Sequence, residues 1–337
     1  MKDFSTFLSQ HISNIIWAYA IAGKTYPQLF RKFADHIVVM KDLRQLIPQH
    51  FSNISWAFAT VGMSHPQLYT KLANHIVTMR DLNEFKPQEI SNIVWAYASA
   101  GETHPLLFEK LAEVAISMSN DFNLQNIDNL LWAYATVGKS DQQLFISFTP
   151  AIKSVLSQSN SQNVALVAWA YAVANVNDFS LFNADFVAAL QARENDFGKK
   201  DLSQLHQWQL WQNELKSDIK LPPALSKKCH KALVSHTTQS SRLQDDVISV
   251  LLSIGMRPEE EVLTASGYRL DALVEVNGTT VGIEVDGPYH FINRQPTGST
   301  ILKRRQVTNL DGIQIISVPY WEWSEQRSRS ICAPNWV

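Results

Sequence analysis

The chain has 337 residues, is 45% hydrophobic and carries a formal charge of -2. That balance supports a sizeable core and argues against global disorder and a polybasic nucleic-acid coat, while leaving local basic patches open. Two cysteines, Cys229 and Cys332, are too few for a disulfide framework or a cysteine-built zinc site, and no apolar run reaches the roughly 18–20 residues that cross a bilayer, so no membrane partner is expected.

The first elements repeat. Residues 13–23 read "SNIIWAYAIAG", 52–62 "SNISWAFATVG" and 91–101 "SNIVWAYASAG". Trp17, Trp56, Trp95, Trp132 and Trp169 stand 39, 39, 37 and 37 residues apart, and another 39 reaches Trp208. Self-similarity at this period marks a solenoid. In each unit a first helix is expected to end at Gly23, Gly62, Gly101 or Gly138, with Pro48 and Pro87 near its start. Pro27, Pro66 and Pro105 open a second helix. Residues 1–215 therefore read as stacked helical hairpins and 216–240 as a linker.

The first helix divides into faces when positions are counted from its Trp. Ile15 and Tyr19, Ile54 and Phe58, Ile93 and Tyr97, and Leu130 and Tyr134 form an apolar stripe with Ile12, Phe51, Ile90 and Ile127. The Trp row, beside Ala20 and Ala59, suits stacking between repeats. A third face starts six residues before the Trp, at His11, His50, Glu89 and Asn126. It continues through Asn14, Asn53, Asn92 and Asn129 and ends at Ile21, Thr60, Ser99 and Thr136. The variable positions are candidate base readers. The constant Asn reads more readily as a ladder of mutually satisfied amides.

Residues 241–337 follow another grammar. "SRLQDDVISVLLSIGM" is an amphipathic helix; "EEVLTASG", "YRLDALVEV" and "TTVGIEVDG" are strand-like, with Asn277-Gly278 as a hairpin signal. A helix ending at Gly312 and the strand "IQIISVPYW" complete a small α/β domain. Glu284 and Asp286 lie two apart, hence on one strand face. If Asp271 joins them across the hairpin, three carboxylates converge where Mg²⁺ could activate water against a phosphodiester. His290 follows the turn, and Lys303, Arg304 and Arg305 could meet phosphates or support the acids. The plainer reading is that these acids and bases pair structurally.

The repeat phrase resembles the octotricopeptide repeats of organellar RNA factors and the repeats of FAST-kinase-type proteins, over roughly residues 5–215. The stretch from "YRLDALVEV" through "VGIEVDGPYHF" to "VPYWEW" resembles the RAP domain, itself similar to restriction-endonuclease-like nucleases. The resemblance implies an α-solenoid followed by a small α/β restriction-endonuclease-like domain, with single-stranded RNA as partner and a role in RNA processing, stability or translation. It makes Asp271 and Glu284 metal-binding acids but finds Asp286 where that nuclease motif has Lys. Lys303, or Asp286 with His290, would have to replace it. A non-catalytic RNA binder, an Mg²⁺-dependent endoribonuclease and a protein-binding solenoid thus stand as alternatives. Oligomeric state is not legible. The resemblance implies mitochondrion or chloroplast; the opening "MKDFSTFLSQ" shows no leader pattern, which leaves a bacterial or host-cytosolic setting, or a fragment of a longer protein, open.

Overall fold

A computed structural model describes residues 9–235 and 240–323; Cys332 lies outside them. Contacts divide the chain into two compact units, residues 1–182 with 292–298 and residues 183–291 with 299–337.

The first unit is a two-layer solenoid. One layer stacks α1 (Ser9–Ile21), α3 (Pro48–Thr60), α5 (Pro87–Ser99), α7 (Leu124–Thr136) and α9 (Ser161–Ala174) in succession. The other stacks α2 (Pro27–Val39), α4 (Pro66–Thr78), α6 (Pro105–Ser117) and α8 (Gln142–Val155). The expected punctuation holds. Gly62 adopts φ +67°, and the next N–H, of Met63, bonds back to the Phe58 carbonyl at 3.0 Å. Only the left-handed region allows that closure, and glycine reaches it without strain. In the fifth unit Asn175, at φ 55°, takes over the task.

From the third repeat on, each repeat is tied to the one before by the tyrosine two after its Trp; the second has Phe58 there, which meets Phe30 edge to face. The Tyr97 hydroxyl donates to the Tyr69 carbonyl at 2.6 Å, Tyr134 to Phe108 at 2.5 Å and Tyr171 to Phe145 at 2.6 Å. Each hydroxyl thus reaches the second helix of the repeat before. The rings meet edge to face: Tyr69–Tyr97, Phe108–Tyr134 and Phe145–Tyr171 have centroids 4.9, 5.2 and 5.1 Å apart. Burial pushes the Tyr97 and Tyr134 hydroxyls well above the usual phenol range, so they stay donors. On the second helices, His65 and His104 each accept an N–H of their own helix through Nδ1 at 3.2 Å. Through Nε2 they reach Asp35 and Asn74 of the preceding repeat, at 3.3 and 3.1 Å.

The second unit contains α10 (Ala184–Gln191), α11 (Lys199–Glu214) and α12 (Pro223–Val234), then α13 (Arg242–Ser253). Here the structure departs from the expected boundaries: the segment read as linker holds α12, which packs on α11. The reason lies in the polar side chains of α11, which serve the sheet domain. His206 Nε2 lies 2.9 Å from the Ser266 carbonyl, and Gln207 Nε2 donates to the Tyr268 hydroxyl at 3.1 Å. Trp208 and Trp211 are fully buried.

The sheet follows the expected order. β1 (Glu259–Leu263), β2 (Arg269–Val276) and β3 (Thr279–Asp286) form an antiparallel meander. α14 (Gly298–Gln306) then leads to β4 (Gln314–Pro319), which lies parallel to β3 with Glu284 opposite Ser317. Asn277 and Gly278 both have positive φ, as their two-residue hairpin requires. α13 covers one sheet face through Val247 and Ile248 against Ala272, Val274 and Ile283.

Replacing Tyr97 by Phe removes one inter-repeat tie and leaves the rings in place. Chemical denaturation should show a loss of about 1–3 kcal/mol; an unchanged midpoint would mean that the hydroxyl bears no net stability.

Candidate nucleic-acid interface and acidic cluster

The first helices present a groove of about 400 Å³, lined by Asn14, Trp17, Ile21, Gln49, Asn53, Trp56, Gln88, Asn92 and Gln125. Three rows build it: Gln seven residues before each Trp, Asn three before, and the Trp itself. Spacings of four and three residues place them on one helix face. The Gln row is as regular as the Trp row, with Gln10, Gln49, Gln88, Gln125 and Gln162 all exposed. Its period was legible in the sequence, but a face started six residues before the Trp passes beside it. The Trp rings do more than stack: Trp17 is 43% exposed, and Trp95 and Trp132 lie with centroids 6.4 Å apart, both half-buried.

The candidate readers at the sixth position before the Trp occupy other roles. His50 is buried, and its Nδ1 accepts the Ile47 N–H at 3.3 Å. Glu89 accepts the Lys86 N–H through Oε2 at 2.9 Å. Both are the third residue of their helix, reaching back to its first turn. Asn126 is buried at the same position of α7, where its own N–H is capped by Asn123 Oδ1 at 2.9 Å. His11, Thr60 and Ser99 are exposed. Asn53 and Asn92 are half-buried in the groove wall, and Asn92 Nδ2 donates to Ser52 Oγ at 3.4 Å. That bond crosses to the preceding repeat but ends on Ser, not on the next Asn of a ladder.

In the second unit the acids are brought near one another, and each is already engaged. Asp271 sits where the β2–β3 ladder ends, and its Oδ2 accepts the Val285 N–H at 2.7 Å, completing the ladder with a side chain. Lys303 Nζ lies 2.7 Å from both oxygens of Glu284, donating to Oε2 and flanking Oε1. Asp286 is 1% exposed; its Oδ2 accepts from Arg304 Nη2 at 2.6 Å and Ser317 Oγ at 2.5 Å, and its Oδ1 lies 3.3 Å from His290 Nδ1. Arg305 pairs with Glu214 at 3.3 Å. Burial raises the Asp271 carboxyl, which the Val285 N–H opposes, and lifts Glu284 to about 7 against the pull of Lys303.

This arrangement bears on two expectations. Among the described residues no three His, Cys, Asp or Glu side chains gather as metal ligands. The expected Mg²⁺ trio of Asp271, Glu284 and Asp286 is engaged by protein partners here, with the buried Glu284 Oε1 left without a hydrogen bond. Lys303 and Arg304 already neutralise two of its members, and a divalent ion there would face their charges at close range. Lys303, Arg304 and Arg305 each pair with a carboxylate of the same unit.

The fold and these sites define a helical-repeat protein with a C-terminal RAP domain: the RAP family model matches residues 283–330. The model of the RNA-editing substrate-binding complex 6 protein matches residues 4–196, more than half of the 337. The chain belongs to that family. No curated protein matches it. Both matches are consistent with an RNA-associated protein, and no helix of its described residues is long and apolar enough to cross a membrane.

Because burial holds the folded Glu284 pKa near 7, above its ordinary value of 4.5, its ionisation opposes folding. The stability it supports is complete below about 4.5 and is lost as pH rises through about 7. Lys303→Met takes away the cation that limits this loss. Denaturation at pH 8 should show a cost of about 3 kcal/mol, and at pH 5, where Glu284 takes up a proton, less than half of it. Equal losses at both pH values would mean that packing, not charge, is the role of Lys303.

Proposed function

We propose that this protein binds single-stranded RNA along the groove of its solenoid and acts as a substrate-holding, non-cleaving factor in RNA processing. The observation that carries this reading is the register of Gln, Asn and Trp through successive repeats, all on one open face. Flat indoles offer stacking surfaces to unpaired bases, and amides offer both a donor and an acceptor to base edges. The family, that of an RNA-editing substrate-binding complex protein, agrees with binding rather than chemistry. The resemblance of the repeats to those of organellar RNA factors supports an organellar setting.

The RAP domain supplements this grip. Lys303, Arg304 and Arg305 are paired with acids, and its contact is assigned to Tyr289, 97% exposed on the turn that follows the acids. A lone exposed ring is a base platform more than a phosphate contact. The engagement of Glu284 by Lys303 and of Asp286 by Arg304 favours this over Mg²⁺-dependent cleavage.

Fluorescence anisotropy with short single-stranded RNA tests the reading. Trp56→Ala should weaken binding by about 1–3 kcal/mol, Tyr289→Ala by less, and prolonged incubation with Mg²⁺ should leave the RNA intact. Absence of binding at low salt would refute it, and cleavage abolished by Asp271→Ala would replace it with a nuclease.

A further inference from the structure

The groove repeats one set of contacts rather than varying it. Gln10 with Asn14, Gln49 with Asn53, Gln88 with Asn92, and Gln125 with Asn129 precede Trp17, Trp56, Trp95 and Trp132 at constant spacing. A solenoid that reads a mixed sequence changes its reading side chains from repeat to repeat. One that presents the same pair four times selects the same base four times. The fifth unit breaks the pattern, with Leu166 in place of Asn and Trp169 buried.

The chemistry of the pair indicates which base. An amide donates and accepts side by side, matching adenine N6 and N7. Guanine is most often held by Arg or Lys and cytosine by Glu or Asp, and none of the nine groove-lining residues is charged. Stacking on the indoles accepts any base, so the choice falls to the amides. Among the described residues the side chains of Gln49, Gln88 and Gln125 make no hydrogen bond and are exposed. Asn92 lends Nδ2 to Ser52 Oγ at 3.4 Å, which orients its amide and leaves Oδ1 to accept.

We infer that the solenoid groove selects a run of adenines in single-stranded RNA, one per repeat over the first four repeats. This rests on the RNA-binding reading above and adds the base to it.

The test measures the affinity of the full chain for equal-length strands of A, U, C, G and a mixed sequence. The A strand should bind at least about tenfold tighter than the rest. Gln49→Ala with Asn53→Ser should reduce that preference about tenfold while a melting curve confirms folding; Gln88→Ala, at an exposed position, should reduce it without touching the core. Equal affinity for all strands, or preference for another base, overturns the adenine assignment and leaves the RNA-binding reading standing. Failure to bind any strand overturns both.

Discussion

The solenoid depends on a buried tyrosine hydroxyl that reaches one repeat back. Tyr97, Tyr134 and Tyr171 each place a donor on a main-chain carbonyl of the preceding repeat's second helix. A phenol inside an apolar core is costly unless it is satisfied, so the contact sets both the distance and the rotation between neighbours. A slipped register would strand the hydroxyl. Because the same tie recurs, first helices arrive at equivalent angles, and equivalent side chains line up in rows. The groove is a by-product of this regularity.

The two units handle polar groups differently. In the solenoid, buried polar atoms belong to caps and ties that maintain a period, while the amides of the groove wall remain at an open face. In the sheet domain, the acids that a nuclease would hold open are closed by cations from α14 and by the Val285 amide. Buried carboxylates in such company tie α14 to β3 through Lys303 and Arg304.

Much of this was legible in the residues. The Trp period located the helices, the Gly and Pro positions bounded them, and the two-residue spacing of Glu284 and Asp286 placed both on one strand face. Local chemistry was harder to read. His50 and Glu89 looked variable and polar, hence available, yet their position at the third residue of a helix commits them to backbone amides. That depends on where the helix begins, which a one-residue error obscures. The same error hid the Gln row. Pairings such as Arg304 with Asp286, or α11 with the sheet domain, depend on which elements meet in space, and no periodicity encodes that.

The replacement of Asn by Leu166, with Trp169 turned inward, ends the Asn and open Trp rows in the fifth repeat, although Gln162 continues the Gln row. A protein that repeats one contact without limit would measure nothing, since a long ligand could slide along it through equivalent registers. If the row holds RNA as proposed, its termination makes the solenoid a gauge of fixed length. Gauges of this kind are adjustable, because each repeat interacts with its neighbours alone. Inserting or deleting one 39-residue unit would change the span measured by one step while leaving the joints intact.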